Sequence, residues 1–155
     1  MDPQTLRQLI QQTLQPLNLY SPDVEELMMF TCANESDLGK YRTQGGGGPA
    51  RGIFQVEGNT FNDVWTNYLA YHSALAQQIS ALFQNQPPSV DELVNNDPAA
   101  IAMCRVQYLR APEAIPPAND VEAIWTLYKK RYNTPMGAAT HDRAMQAYQT
   151  YVVGK

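Results

Sequence analysis

SPDVEELMMFTCANESDLGK, residues 21–40, holds a helix start, an apolar stripe and a carboxylate that breaks the stripe. Ser21 before Pro22 pairs an N-cap hydroxyl with a proline at the first helical position, where its missing N–H costs nothing. Val24, Leu27, Met28, Thr31 and Cys32 then recur at helical spacing, so one face of this segment is expected to be buried. The next position on that face is Glu35. A carboxylate on the core side of a helix end is partly desolvated, which disfavours its charged form and raises its pKa. A glutamate kept protonated near neutral pH is what a general acid requires. A satisfied cap or a plain surface charge is the blander reading of the same residue.

Outward from this segment the same helix grammar repeats. Asp2-Pro3 opens a first helix with Leu6, Leu9, Ile10 and Leu14 on one stripe. Thr60 to about Phe83 reads as one long helix with Phe61, Val64, Trp65, Tyr68, Leu69, His72, Leu75 and Ile79 in period. Ser89 with Glu92 makes a capping box, and Asp97-Pro98 caps a helix carrying Ile101 to Leu109. Asp120 opens a helix over 121–132, and Thr140 opens the last one. Strand-type alternation is absent except that residues 51–56 suit an extended piece. The expectation is an all-α fold of six or seven helices, a single domain over residues 1–155, with no internal repeat.

Three stretches interrupt the helices: residues 41–51 with Gly45-Gly46-Gly47-Gly48-Pro49, then Gln86-Pro87-Pro88, then the proline-rich 111–119. The glycine run lacks the preceding strand and the following Lys-Ser/Thr that a phosphate-cradling P-loop needs. It reads instead as a surface loop or a close backbone approach to a ligand.

Composition narrows the partners. The 155 residues carry fifteen Asp and Glu against eleven Lys and Arg, a net charge of −4. Nucleic-acid binders show a basic footprint and anionic membranes attract basic segments, so neither partner is expected. The N-terminus has no basic and apolar secretory pattern, and no apolar run approaches the ~20 residues that cross a bilayer. Cys32 and Cys104 read as small core thiols. His72 and His141 read as partly buried helix residues, and the Lys129-Lys130-Arg131 cluster as a solvated helix end or a contact with anionic glycan or a partner protein. No metal or other cofactor is expected.

Four motifs in order raise the interest of Glu35. They are Glu35-Ser36-Asp37-Leu38-Gly39; Gly52-Ile53-Phe54-Gln55-Val56-Glu57 with Thr60; Asp97-Pro98-Ala99-Ala100 through Tyr108-Leu109; and Tyr132-Asn133-Thr134-Pro135-Met136-Gly137. Together, across residues 24–140, this resembles the lysozyme-like superfamily of goose-type lysozymes and soluble lytic transglycosylases. The resemblance implies cleavage of the β-1,4 bond between N-acetylmuramic acid and N-acetylglucosamine in peptidoglycan, with Glu35 protonating the bridging oxygen.

The other site residues follow from the same resemblance. Ser36 is the orienting hydroxyl or a helix-end hydrogen bond. Gly52 lets backbone approach the sugar, and Gln55 bonds an acetamido group or satisfies backbone. Tyr108 and Tyr132 belong to the substrate side, Tyr132 as a cleft tyrosine or a core one. Asn133 shapes the turn before Pro135 or touches substrate.

The second chemical step stays open. A hydrolase needs a second carboxylate to activate water, for which Glu57 is the candidate, with Asp37 and Asp63 as outsiders. A transglycosylase needs none, because the muramyl 6-hydroxyl attacks internally. A wall-cutting chain with no secretory pattern, anchor or wall-binding repeat looks like a bacteriophage product. The expectation is a virion tail or baseplate protein acting at the host wall, with tail proteins as partners. The alternatives are a released endolysin and a structural tail component that keeps the fold with little activity.

Overall fold

The helix starts follow from short-range chemistry. In the computed structural model, which describes residues 1–155, Asp2 accepts from the Thr5 N–H at 3.1 Å to open α1 (Pro3–Leu14). Ser21 accepts from the Val24 N–H at 3.1 Å to open α2 (Pro22–Ser36), as the Ser-Pro pair implies. After the glycine loop come α3 (Gly58–Asn67), α4 (Ser73–Ser80), α5 (Asp97–Leu109), α6 (Val121–Leu127) and α7 (His141–Tyr148). The fold is all-helical, seven α-helices with no sheet.

Helices α2 and α5 form its centre. In α5 every residue from Ala99 to Val106 is buried, and α2 is buried from Leu27 to Ala33, so neither is amphipathic. A helix that is apolar all round must be surrounded. α1, α3 and a turn following α6 cover α5, while α1, α6 and α7 cover α2. One apolar cluster of 33 buried residues runs through all of them. Cys32 and Cys104 are buried in it as free thiols. No helix is long and apolar enough to cross a membrane.

Several local expectations need correction. The long helix over 60–83 is two helices. The chain leaves helical geometry at Tyr68 (φ −130°, ψ −62°) and again at His72 (φ −134°, ψ 67°), with one 3₁₀ turn between. Leu69 is thereby turned into the core, and His72 stacks on Tyr68 at 4.2 Å on the exposed side. Ser89 makes no capping bond; Glu92 instead accepts from the Gln84 and Asn85 N–H groups and from Asn96. Asn96, rather than Asp97, caps α5, accepting from the Ala99 N–H at 3.1 Å. That releases Asp97 to pair with Arg42 at 2.6 Å, locking the loop after α2 to the start of α5.

Residues 51–56 are a tight turn rather than a strand. Arg51 and Val56 exchange both backbone hydrogen bonds, and Gly52 (φ 81°) and Gln55 (φ 51°) turn the chain between them. The segment expected as helix to Tyr132 changes pitch after Leu127 and continues as a π-helical turn over Tyr128–Asn133.

Candidate functional site

Glu35 is the penultimate residue of α2, and the chain immediately beyond it is strained. Asp37 (φ 51°), Leu38 (φ 58°) and Gly39 (φ 87°) are three successive left-handed residues, two of them without glycine's freedom. Surrounding contacts hold them there. Leu38 is buried, its carbonyl accepts from the N-terminal ammonium at 2.8 Å, and Tyr151 donates to Asp37 at 3.0 Å. The effect is an abrupt helix stop that leaves Glu35 at the edge of a cleft of about 790 Å³.

The cleft wall is assembled from five parts of the chain. Asn34 and Glu35 come from α2, Gln107 from α5, and Tyr41, Thr43, Gln44, Gly45 and Ala50 from the glycine loop. Gln55 to Glu57 and Thr60 come from the turn and the start of α3, and Tyr132 to Thr134 from the π turn and beyond. The glycine loop is pinched at its neck, where Gln44 exchanges backbone and side-chain bonds with Ala50. Gly46 and Gly47 have positive φ, and a side chain at either would meet no neighbour.

Glu35 is half-buried, and its carboxyl is pushed up to about 7. Burial is the main cause. A hydrogen bond from the Tyr128 hydroxyl to Oε2 works the other way, and the charge of Glu57 adds to the rise. Tyr128 is itself buried, and its own pKa is raised by burial and by Glu35, so it stays a donor. It packs edge-on against Phe30 at 5.5 Å and parallel to Tyr132 at 6.1 Å, which leaves it little freedom.

One carboxylate oxygen is therefore held by a tyrosine that cannot move away. Tyr128→Phe removes the contact that opposes the rise, so the Glu35 pKa should climb further. An NMR titration of the Glu35 side-chain carboxyl checks this; a midpoint unchanged or lowered in the variant would show that Tyr128 does not act on the charge.

The structure brings Glu35, Glu57, Gln55, Tyr132 and Asn133 together around the cleft. Glu57 occupies the N-cap position of α3, yet its side chain makes no capping bond and is exposed. Gln55 spends its amide nitrogen on the Gly52 carbonyl at 2.9 Å. Tyr132 donates to the Phe54 carbonyl at 2.6 Å, so it lines the cleft and anchors the 51–56 turn at once. Asn133 accepts from Lys129 at 2.9 Å, which also holds the Gly137 carbonyl at 2.8 Å.

Three expected site residues lie elsewhere. Tyr108 is buried, its hydroxyl 2.8 Å from that of Thr31, and reaches the cleft only through its stack on Tyr132 at 5.4 Å. Ser36 is buried and fully used, donating to the Ile53 carbonyl at 2.6 Å and accepting from the Gly39 N–H at 2.8 Å. It fastens the helix end to the turn. Gly52 approaches backbone rather than sugar: a Cβ there would sit 2.6 Å from the Leu93 carbonyl oxygen. The outsiders are committed too, Asp63 to Arg110 at 2.6 Å and Asp37 to Tyr151.

Tyr128, Asn34, Tyr41 and Gln107 are cleft or acid-contacting residues that sequence reasoning passed over, and Thr60, read there as a helix start and part of a motif, also lines the cleft. Gln107 is the neighbour of Tyr108, and one step along an α-helix turns a side chain by about 100°. That step separates the core face of α5 from its cleft face. The basic cluster is consumed internally, with Lys130 and Arg131 both on Glu113 at 3.0 and 2.7 Å. His141 is exposed and pairs with Glu122 at 2.9 Å. No group of three His, Cys, Asp or Glu is arranged to hold a metal ion. No family model, no curated protein and no solved structure matches this chain.

Proposed function

We propose that this chain is a lysozyme-like glycosidase that cuts peptidoglycan strands at the β-1,4 bond between N-acetylmuramic acid and N-acetylglucosamine. The observation that carries the reading is Glu35: a half-buried carboxyl with its pKa raised to about 7, at the edge of a polar cleft of about 790 Å³. A carboxylic acid protonated near neutral pH can donate to a glycosidic oxygen as the bond breaks and positive charge builds on the sugar ring. The amide oxygens of Asn34 and Gln55 and the amide nitrogen of Asn133, which have no partner within the chain, and the rings of Tyr41 and Tyr132 suit acetamido and pyranose groups. Because the acid must hold its proton, kcat/KM should fall as pH rises through about 7.

Glu57 lines the same cleft and is the candidate for activating water if the second step is hydrolysis. Digestion of purified peptidoglycan read by mass spectrometry separates the two outcomes. Reducing ends mark hydrolysis, and 1,6-anhydro products, one water lighter, mark internal attack by the muramyl 6-hydroxyl. In the hydrolytic case Glu57→Gln should cut turnover on the order of 10²-fold or more. Turnover that survives the change excludes Glu57 from that step, and intact strands from the wild type overturn the glycosidase reading.

We place the chain in a bacteriophage tail or baseplate, where attachment sets its local concentration at the wall. The net charge of −4 supports this, since a freely diffusing enzyme gains from attraction to an anionic wall. Added salt should then leave lysis unchanged or improve it; a steep loss with salt in a turbidity assay argues for a cationic wall contact instead.

A further inference from the structure

Two stretches of the chain carry no Asp, Glu, Lys or Arg: residues 8–22 and residues 64–90. The fold brings them together. Leu9, Thr13 and Leu17 of the first meet Ala81 and Leu82 of the second, with Pro98 of α5, around an apolar groove of about 500 Å³. α4 borders this groove and is the one helix with no other α-helix packed firmly against it. Arg105 follows Pro98 by seven residues, which puts it on the same face of α5 and about 10 Å further along the axis. There it lies between the same two stretches. It donates from Nε to the Leu19 carbonyl at 2.9 Å, and Tyr68 is close enough for its phenol to act on the guanidinium.

Arg105 is the anomaly of this face. It is only 8% exposed, yet its Nη1 is buried without a hydrogen-bond partner. Burial pushes its pKa down, and no Asp or Glu opposes that fall. The Trp65 indole N–H is likewise buried and unpartnered, beside a second groove that shares Ala81 with the first. A buried charge without a counter-ion destabilises a fold, and native structures hold few unpaired buried donors. Both groups donate, so an acceptor complements them, and the guanidinium favours an anionic one. Depletion of charge around an arginine set among apolar and aromatic groups marks the core of protein–protein interfaces. A polyanion would need a cluster of cations, and neither stretch supplies one. A second copy turning the same two stretches inward would bring no carboxylate. We propose that this face docks a partner protein by receiving one carboxylate, set among uncharged apolar residues, against Arg105. None of these residues lines the cleft, so docking leaves Glu35 open and does not depend on glycan cleavage.

The test is an NMR titration of the full chain with two short peptides, blocked at both ends. One holds a single glutamate between leucines among glutamines; its twin carries glutamine in that place. The Arg105 Nε–H and Trp65 Nε1–H signals should move saturably with the first peptide, and the twin should bind on the order of tenfold more weakly. Arg105→Met should abolish the difference between the peptides while the spectrum stays that of a folded chain. Equal binding of the two peptides, no movement of either signal, or a difference that survives Arg105→Met overturns the proposal. The peptide comparison leaves the protein unaltered, so it decides the matter even where the variant unfolds. Sedimentation of the chain alone should give a monomer. A dimer that Gln78→Asp disperses would assign the face to a second copy and overturn the docking of a partner.

Discussion

Glu35→Gln should lower peptidoglycan cleavage on the order of 10³-fold, with the helical fold unchanged. Glutamine keeps the volume and can still accept the Tyr128 hydrogen bond, but it has no proton to give to a leaving oxygen. A loss confined to turnover, with far-UV circular dichroism retained, is the expected result; a variant that still cleaves rules Glu35 out as the acid.

The same substitution carries a stability signature of known sign. The folded pKa of Glu35 lies at about 7, above the ordinary 4.5, so the fold binds this proton more tightly than the unfolded chain does. Its contribution is complete below about pH 4.5 and is lost as pH rises through about 7. Glutamine is neutral throughout. The variant should therefore gain in melting temperature relative to wild type at pH 8, and the gain should vanish at pH 4. Stability given up at an acid so that it can hold a proton is a frequent cost of active sites.

Gly52→Ala should destabilise the fold by about 3 kcal/mol, roughly a 10 °C drop in melting temperature for a chain of this size. Two costs add. At φ 81° an L-residue is strained, and a methyl group would lie 2.6 Å from the Leu93 carbonyl oxygen, which is backbone and cannot step aside. Leu93 is itself buried in the 3₁₀ turn Val90–Val94, and the Gly52 N–H is spent on the Arg42 carbonyl at 2.7 Å.

Relief by shifting the turn would carry Gln55, Val56 and Glu57 with it, so activity should fall further than stability alone explains. Thermal melts and cleavage assays on the same preparation check both parts. A melting temperature within 2 °C of wild type would mean that the turn yields to the methyl group.

Residues far apart in the chain account for what periodicity could and could not reveal. The stripe from Val24 to Cys32 led to Glu35 because an α-helix repeats every 3.6 residues and the helix is regular up to its end. The N-caps at Asp2, Ser21 and Asp120 were legible because each bond spans three residues. The cap of α5 was misplaced by one residue because Asn96 and Asp97 have equal propensity to cap. Only the partner of Asp97, Arg42 in a distant loop, separates them.

The break at Tyr68 in the expected long helix is likewise a tertiary decision. Leu69 is buried just past the break, and the chain that follows packs as a separate helix.

Sequence alone therefore determined the all-helical class, the main helix starts and the carboxylate at the end of α2, since these rest on contacts within about one turn. The tertiary structure decided which groups attend that carboxylate. Tyr128 reaches Glu35 across ninety-three positions, from a π turn that no local rule announces. Tyr108, expected on the substrate side, goes to the core and its neighbour Gln107 lines the cleft, because neighbouring helices set the rotation of α5. Burial by distant segments also raises the pKa of Glu35. Desolvation comes from atoms that no reading along the chain can place.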